Sequence, residues 1–170
     1  EIDAFTRAFD DGATPGAGGK LRVIRPVFHP IHLFDFKRYV PRVVGLRLRG
    51  VPYLAGKWDS RALRGTLRQE LARQSVDVVY IDHLGMARYL ADVEAERPFC
   101  RTVLDQHNVE SDFFKQFASE KTGPKKLIAN AEYAAARKFE ERALREVDGV
   151  VAISSEDARH FDTLAGVRAH

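Results

Sequence analysis

Three short apolar runs, each followed by a helical pattern, most constrain what this chain can fold into. The runs are VDVVYID at 76–82, RTVLD at 101–105 and GVVAIS at 149–154. The first is continuously apolar, which predicts a strand buried on both faces of a sheet. Helices are predicted at about 61–74, 85–96, 111–117, 126–146 and 155–164. Alternating strands and helices indicate an α/β fold with a Rossmann-like parallel sheet flanked by helices.

Capping residues and one apolar stripe support these helices. Ser60 is predicted to cap the first, and Ser154 with Asp157 forms a capping box for the last, which should end at Gly166. The long helix is predicted to bury a single apolar stripe. Its members are Leu127, Ala131, Ala134 or Ala135, Phe139, Ala143 and Val147.

Length and composition indicate one globular domain over residues 1–170. Apolar residues make up 45% of the chain and charged residues 30%, which excludes a disordered polymer. The single cysteine, Cys100, excludes a disulfide framework and a thiolate metal cluster, and it favours a cytoplasmic protein. No apolar run reaches the ~18 residues of a membrane span.

The region from Lys20 to Arg68 is basic, with twelve Lys or Arg against two acids. We expect either an anionic partner or a solvated basic surface. Residues 34–51 are hypothesised to form an amphipathic helix on an anionic membrane, and packing of positions 40, 44 and 48 against the domain's own sheet is the alternative. The basic residues of this helix are Lys37, Arg38, Arg42, Arg47 and Arg49. Nucleic acid is not an expected partner, because no nucleic-acid-binding motif accompanies the charge.

Common cofactor motifs are absent. GAGGKL at 16–21 lacks the third glycine of a dinucleotide fingerprint and leads into a strand predicted at 21–28, and Leu21 stands where a P-loop needs Ser or Thr. HPIH at 29–32 offers two histidines without an obvious further ligand. These motifs therefore indicate neither a dinucleotide fingerprint nor a P-loop, and we expect no metal site at HPIH.

Polar residues follow the predicted strands. VLDQHNVES at 103–111 places Asp105, His107, Asn108 and Glu110 at or beyond a strand's carboxyl end, where parallel sheets bind ligands. Histidine titrates near neutrality, so His107 could orient or deprotonate a hydroxyl group. The alternative is that Asp105 and Asn108 only hold the turn and cap the next helix.

Five segments together resemble a known family. LDQHNVES, KFEERALREVD and GVVAISSEDARHF, in this order, resemble the N-terminal domain of family 4 glycosyltransferases, which have the GT-B fold. VDVVYIDHLGMARYL and RGVPYLAGKWDS are similar to segments of bacterial exopolysaccharide and lipid-linked sugar transferases. The resemblance covers about residues 50–170.

This resemblance implies a hexosyltransferase that moves a hexose from a nucleotide sugar to a glycan or lipid-linked acceptor with retention. It implies no cofactor and no metal, because the nucleotide sugar is a substrate. It implies that this acceptor-side domain is inactive without a C-terminal donor-binding domain, which lies outside the chain, and that it works in the cytoplasm or at the inner face of the membrane. His107 corresponds to the catalytic loop histidine, and Asn108 and Glu110 to cleft residues. His83 and Glu156 are further cleft candidates at neighbouring strand ends.

The resemblance also has gaps. The family's opening strand, glycine loop and helix have no clear match, and Gly16–Gly19 lead into a strand, so the first β-α-β unit is either missing or divergent. Glu132 and Glu140 have the spacing of the family's donor-site carboxylates, but on an amphipathic helix we expect them to be solvated. The alternative functions are a non-enzymatic α/β ligand-binding module and another GT-B enzyme, such as a nucleotide-sugar epimerase.

Overall fold

The computed structural model describes residues 44–46, 48 and 51–167, and it is an α/β arrangement. Val44, Gly45, Leu46 and Leu48 are helical. The later elements, in chain order, are α1 (Tyr53–Gly56), α2 (Arg61–Arg73), β1 (Val78–Asp82), a 3₁₀ helix (Leu84–Tyr89), α3 (Leu90–Glu96), β2 (Arg101–Gln106), α4 (Glu110–Ser119), α5 (Gly123–Glu146), β3 (Gly149–Ala152) and α6 (Ser155–Ala165).

The three strands form a parallel sheet in the order β1-β2-β3. Val78 pairs with Arg101 and Asp82 with Asp105, while Val103 pairs with Gly149. The predicted α/β class and the parallel sheet flanked by helices are confirmed, and this arrangement is compatible with a Rossmann-like fold. Because the strands run in the same direction, their carboxyl ends meet at one edge of the sheet.

One face of the sheet carries the hydrophobic core. Ile81, Leu104 and Val150 point from the three strands into a cluster that includes Leu144 of α5 and Phe161 of α6. Leu104, Leu144 and Phe161 are completely buried. Burying a side chain of this size contributes roughly 1.5–3 kcal/mol. The helices are therefore fixed to the sheet mainly by apolar packing on this face.

The opposite face is open in the described part of the chain, which corrects the prediction for 76–82. Val78 is 53% exposed and Tyr80 is 54% exposed, so β1 is not buried on both faces. Alternation places Val103 of β2 and Val151 of β3 on the same side as Tyr80, and both are only partly buried. An apolar run of strand length cannot distinguish one covered face from two.

Helix ends follow the predicted capping chemistry. The Ser60 hydroxyl oxygen accepts from the Leu63 N–H at 3.2 Å, and the Ser154 hydroxyl oxygen accepts from the Asp157 N–H at 3.0 Å. Gly166 has a φ of 68°, the left-handed conformation expected after a helix.

Two helices differ from the predicted bounds. The predicted helix at 85–96 divides into the 3₁₀ helix and α3. Helix α5 begins at Gly123, three residues before the predicted start, with Pro124 in its first turn. Proline is compatible with that position because first-turn N–H groups have no partner within the helix.

The buried stripe of α5 also differs from the prediction. Leu127 is 73% exposed, whereas Ala129 and Glu132 are buried. Glu140 is completely buried beside Phe139. The expectation that Glu132 and Glu140 are solvated is wrong, because both are buried and hydrogen-bonded. Glu132 accepts from the Tyr53 N–H at the start of α1, and Glu140 accepts from Gln106 at the end of β2. A pattern of apolar residues misses a stripe that passes through two glutamates.

The basic segment is described only in part. Val44 is 49% exposed and Leu48 is 85% exposed, so neither packs in the core as the alternative for positions 40, 44 and 48 required. Position 40 lies outside the described residues, as do the predicted strand at 21–28 and Gly16–Gly19. Outside them also lie Lys37, Arg38, Arg42, Arg47 and Arg49. Within the described residues, no helix has the length and apolarity that crossing a membrane requires.

Candidate functional site

Polar side chains gather where β1 and β2 end. Asp82 and Asp105 are directly paired in the sheet register, so both carboxylates stand on the open face. Histidines follow each strand: His83 comes immediately after β1, and His107 comes immediately after β2. We call this group the carboxyl-edge cluster. Its members are Tyr80, Asp82, His83, Asp105, His107 and Glu110.

His107 lies between the two aspartates. Its Nε2 atom is 3.3 Å from Oδ1 of Asp82 and 3.5 Å from Oδ2 of Asp105. The His107 side chain is 47% exposed, whereas that of Asp105 is 18% exposed. The imidazole is thus held by two carboxylates and still reaches solvent, as a group that meets a ligand must.

Tyr80 orients Asp105 from the neighbouring strand. Its hydroxyl donates to Oδ2 of Asp105 at 2.5 Å. This hydrogen bond, followed by burial and the negative charges of Asp105 and Asp82, raises the pKa of Tyr80 to about 12. The phenol therefore stays protonated across the physiological range and remains a hydrogen-bond donor to the carboxylate.

His83 occupies an unusual backbone conformation. Its φ of 83° lies in the region that favours glycine, and its N–H donates to the Asp105 carbonyl at 3.1 Å. Its Nε2 atom is 3.3 Å from Oε1 of Glu110, and its ring lies 6.2 Å from the His107 ring. The Trp58 ring lies 6.1 Å away on another side. A strained backbone of this kind costs ~1–3 kcal/mol and is often found at functional sites.

Glu140 supports the loop that carries His107. Its side chain is completely buried, and its carboxylate accepts from Gln106 Nε2 at 3.0 Å, from the Glu110 N–H at 2.9 Å and from the Ser111 N–H at 3.1 Å. Two of these donors belong to the first turn of α4, which has no side-chain cap of its own. Burial raises the pKa of Glu140, and the hydrogen bonds from Ser111, Glu110 and Gln106 oppose the shift.

Two predicted site residues stand apart from the cluster. Asn108 is exposed and does not cap α4. The N-cap position is occupied by Val109, whose side chain makes no hydrogen bond to the helix. Glu156 is exposed in the first turn of α6, and among the described residues it forms no ion pair with His83 or His107. The alternative role of Asp105 and Asn108 as helix caps is not observed, since Glu140 supplies that function.

Sequence reasoning missed three supporting residues. Tyr80 lies inside a strand, where a tyrosine is usually only a packing residue. The indole of Trp58 lies against Gly85, where an added Cβ atom would be only 2.2 Å away. This glycine therefore makes room for the ring beside His83. Glu140 is 30 residues from Glu110 in the chain. The only sequence signal for Glu140 was its spacing from Glu132, which we interpreted as solvated.

A surface cavity lies elsewhere. It has a volume of about 640 Å³ and includes Cys100, Arg101 and Asp148, near the amino end of β2. Arg101 and Asp148 form an ion pair at 2.7 Å across this end of the sheet. Because ligands of parallel sheets bind at the carboxyl ends of strands, we place the functional site at the carboxyl-edge cluster and not in this cavity.

Known proteins offer no independent guide to this site. Comparisons of the chain with protein-family models, with curated proteins and with solved structures each give no match. The assignment of function therefore depends on the chemistry of the cluster and on the sequence resemblance.

Proposed function

We propose that this chain is the acceptor-side, N-terminal domain of a GT-B glycosyltransferase. The enzyme would transfer a hexose from a nucleotide sugar to a glycan or lipid-linked acceptor, with retention. The observation that carries the proposal is the position of His107, half exposed at the carboxyl end of β2 between Asp82 and Asp105. A second, donor-binding domain would complete the cleft.

The cluster has the chemistry that sugar hydroxyls require. Carboxylate oxygens of Asp82 and Asp105 accept hydrogen bonds, and imidazole nitrogens can donate or accept them. His107 would orient or deprotonate an acceptor hydroxyl, or contact the transferred sugar, from the edge of the cleft. His83 and Glu110 would line the same cleft, because their side chains are 31% and 17% exposed.

The basic segment has a separate proposed role. Val44 and Leu48 are apolar, helical and exposed, as in a helix that rests on a membrane surface. We propose that Lys37, Arg38, Arg42, Arg47 and Arg49 bind anionic head groups beside them. Each such residue contributes roughly 1 kcal/mol near an anionic membrane. Sedimentation with liposomes tests this, and equal binding to neutral and anionic vesicles would contradict it.

A radiolabelled sugar-transfer assay tests the main proposal. The protein containing this chain and its donor domain is incubated with UDP- and GDP-sugars and with membrane extract as acceptor. His107→Ala should abolish transfer, while His160→Ala should not, because His160 lies on α6 beside Asp112 and outside the cluster. Circular dichroism must show that both variants are folded.

Each other outcome has a distinct meaning. Transfer that survives His107→Ala would remove His107 from the reaction. No transfer with any donor would contradict the glycosyltransferase assignment and favour the ligand-binding module. Conversion of the nucleotide sugar without an acceptor would favour the epimerase.

A further inference from the structure

The geometry points to a divalent metal site formed by Asp82, Asp105 and His107, a function that the sequence analysis did not predict. We propose that it binds a first-row transition ion such as Zn²⁺ or Mn²⁺. The inference concerns the chain alone and does not depend on the proposed transfer reaction. It also departs from the family resemblance, which implied no metal.

The three potential ligand atoms lie close together. One carboxylate oxygen from each aspartate and one ring nitrogen of His107 all lie within 4.8 Å of one another. A tetrahedral ion with ligands at 2.0–2.1 Å separates neighbouring ligand atoms by about 3.3–3.4 Å. The Nε2 distances of 3.3 Å to Asp82 and 3.5 Å to Asp105 are close to this separation. Small side-chain movements would bring the three atoms around one ion.

The cluster concentrates negative charge. Asp82 and Asp105 are directly opposite in neighbouring strands, and like charges in that position repel. The cluster also holds Glu110, whose carboxylate faces His83. Among the described residues, only histidines lie within ion-pair distance of these three carboxylates. A bound cation would offset the repulsion between the two aspartates.

Neighbouring groups hold the potential ligands in place. The Tyr80 hydroxyl bonds to the Asp105 oxygen that faces His107, as an outer group orients a metal-binding carboxylate. Asp105 is 18% exposed and its strand is central in the described sheet, so this ligand is firmly held. Asp82 is 63% exposed and leaves the site open to solvent. Three protein ligands with an open position form the pattern of a site that binds a further oxygen ligand.

The ligand types select the ion. An imidazole nitrogen suits Zn²⁺ and related transition ions, whereas Mg²⁺ and Ca²⁺ prefer oxygen ligands alone. The ion would take the Nε2 lone pair, so a metal-bound His107 could not also deprotonate a hydroxyl. In that state the open position would bind an oxygen of a phosphate or a sugar.

Isothermal titration calorimetry of the chelator-treated 170-residue chain with ZnCl₂, MnCl₂ and MgCl₂ tests the inference. We expect the wild-type chain to bind one more equivalent of Zn²⁺ or Mn²⁺ than His107→Ala does. The affinity of this additional site for Zn²⁺ or Mn²⁺ should be at least tenfold higher than its affinity for Mg²⁺. Asp105→Asn should lose the same equivalent, and Tyr80→Phe should weaken it ~10-fold. His29 and His32 are retained in every variant, so any binding there cancels in the comparison.

Two matched controls make the result decisive. His160→Ala removes a histidine that faces one carboxylate at 3.8 Å, so it should keep the equivalent. His83→Ala should keep it too, because His83 Nε2 faces Glu110 and not the aspartates. Equal stoichiometry and affinity in wild type and His107→Ala would overturn the proposal, and so would equal losses in His107→Ala and His160→Ala. Circular dichroism must show that each variant is folded, and neither result depends on transferase activity.

Discussion

Glu140→Ala should destabilise the fold by about 2–4 kcal/mol, although the residue is charged and sits on an amphipathic helix. The side chain is completely buried, and its three hydrogen bonds measure 2.9–3.1 Å. A hydrogen bond to a charged group contributes ~1.5–3 kcal/mol, so three contribute roughly 4.5–9 kcal/mol. Removing a buried charge returns several kcal/mol of desolvation cost, which leaves the smaller net loss.

Thermal unfolding followed by circular dichroism measures this loss. For a chain of this size, each 1 kcal/mol lowers Tm by about 2–4 °C, so we expect a decrease of roughly 5–15 °C. Glu146→Ala is the matched control on the same helix, since its side chain is 50% exposed and, among the described residues, pairs with Arg142 alone at 3.6 Å. That pair should contribute ~0.3–0.5 kcal/mol. Equal Tm values for the two variants would refute the role assigned to Glu140.

The same residue gives a pH dependence of known sign. Burial raises the pKa of Glu140 above its ordinary value of 4.5, so the folded state binds this proton at a higher pH than the unfolded chain does. Between 4.5 and the folded-state pKa, the free energy of unfolding should rise as the pH falls. Denaturant titrations at several pH values should show this slope in wild type and not in Glu140→Gln. An identical slope in both proteins would assign it to other groups.

Three further substitutions test other parts of the structure. Asp92→Ala should lower the free energy of unfolding by ~1–3 kcal/mol, measured by urea titration. This carboxylate is 1% exposed and pairs with Arg64 and Arg68, whose side chains are 33% and 50% exposed. Gly85→Ala should cost ~1–3 kcal/mol and change the fluorescence of the single tryptophan, because the new methyl group would meet the indole at 2.2 Å. His83→Gly should be ~1 kcal/mol more stable than His83→Ala, because glycine adopts the φ of 83° without strain; equal stabilities would contradict this.

Local features of the fold were predictable from the sequence. The cap residue Ser60 and the C-terminal Gly166 act through neighbours within four positions, so their patterns are complete in a short window. The parallel sheet followed from the alternation of strand and helix patterns. His83, Asp82 and His107 came together because carboxyl ends of parallel strands share an edge. Topology alone was sufficient to predict that meeting.

Other features depended on distant partners. Glu140 contacts residues 29–34 positions away, and nothing in its own helix distinguishes a buried glutamate from a solvated one. Tyr80 became part of the site because the register places it diagonally opposite Asp105. The open face of β1 was not predicted, because an apolar run indicates a strand but does not show whether other elements cover one of its faces or both. The sequence therefore predicted that side chains at the ends of β1 and β2 lie close together, but it did not identify the residues that support them.

The described helices cover one face of the sheet, and this restricts how further strands can be added to it. From β1 to β3, each successive strand is added on the same side of the previous one. The described helices that complete the core lie on one face of the sheet. A parallel strand that follows β3 in the chain and lies beyond β1 would need a right-handed crossover on the other face, over Tyr80 and Val103. The winding direction would then reverse beside β1, creating a topological switch point at Asp82 and His83. Crevices at such reversals are where open α/β sheets bind their ligands.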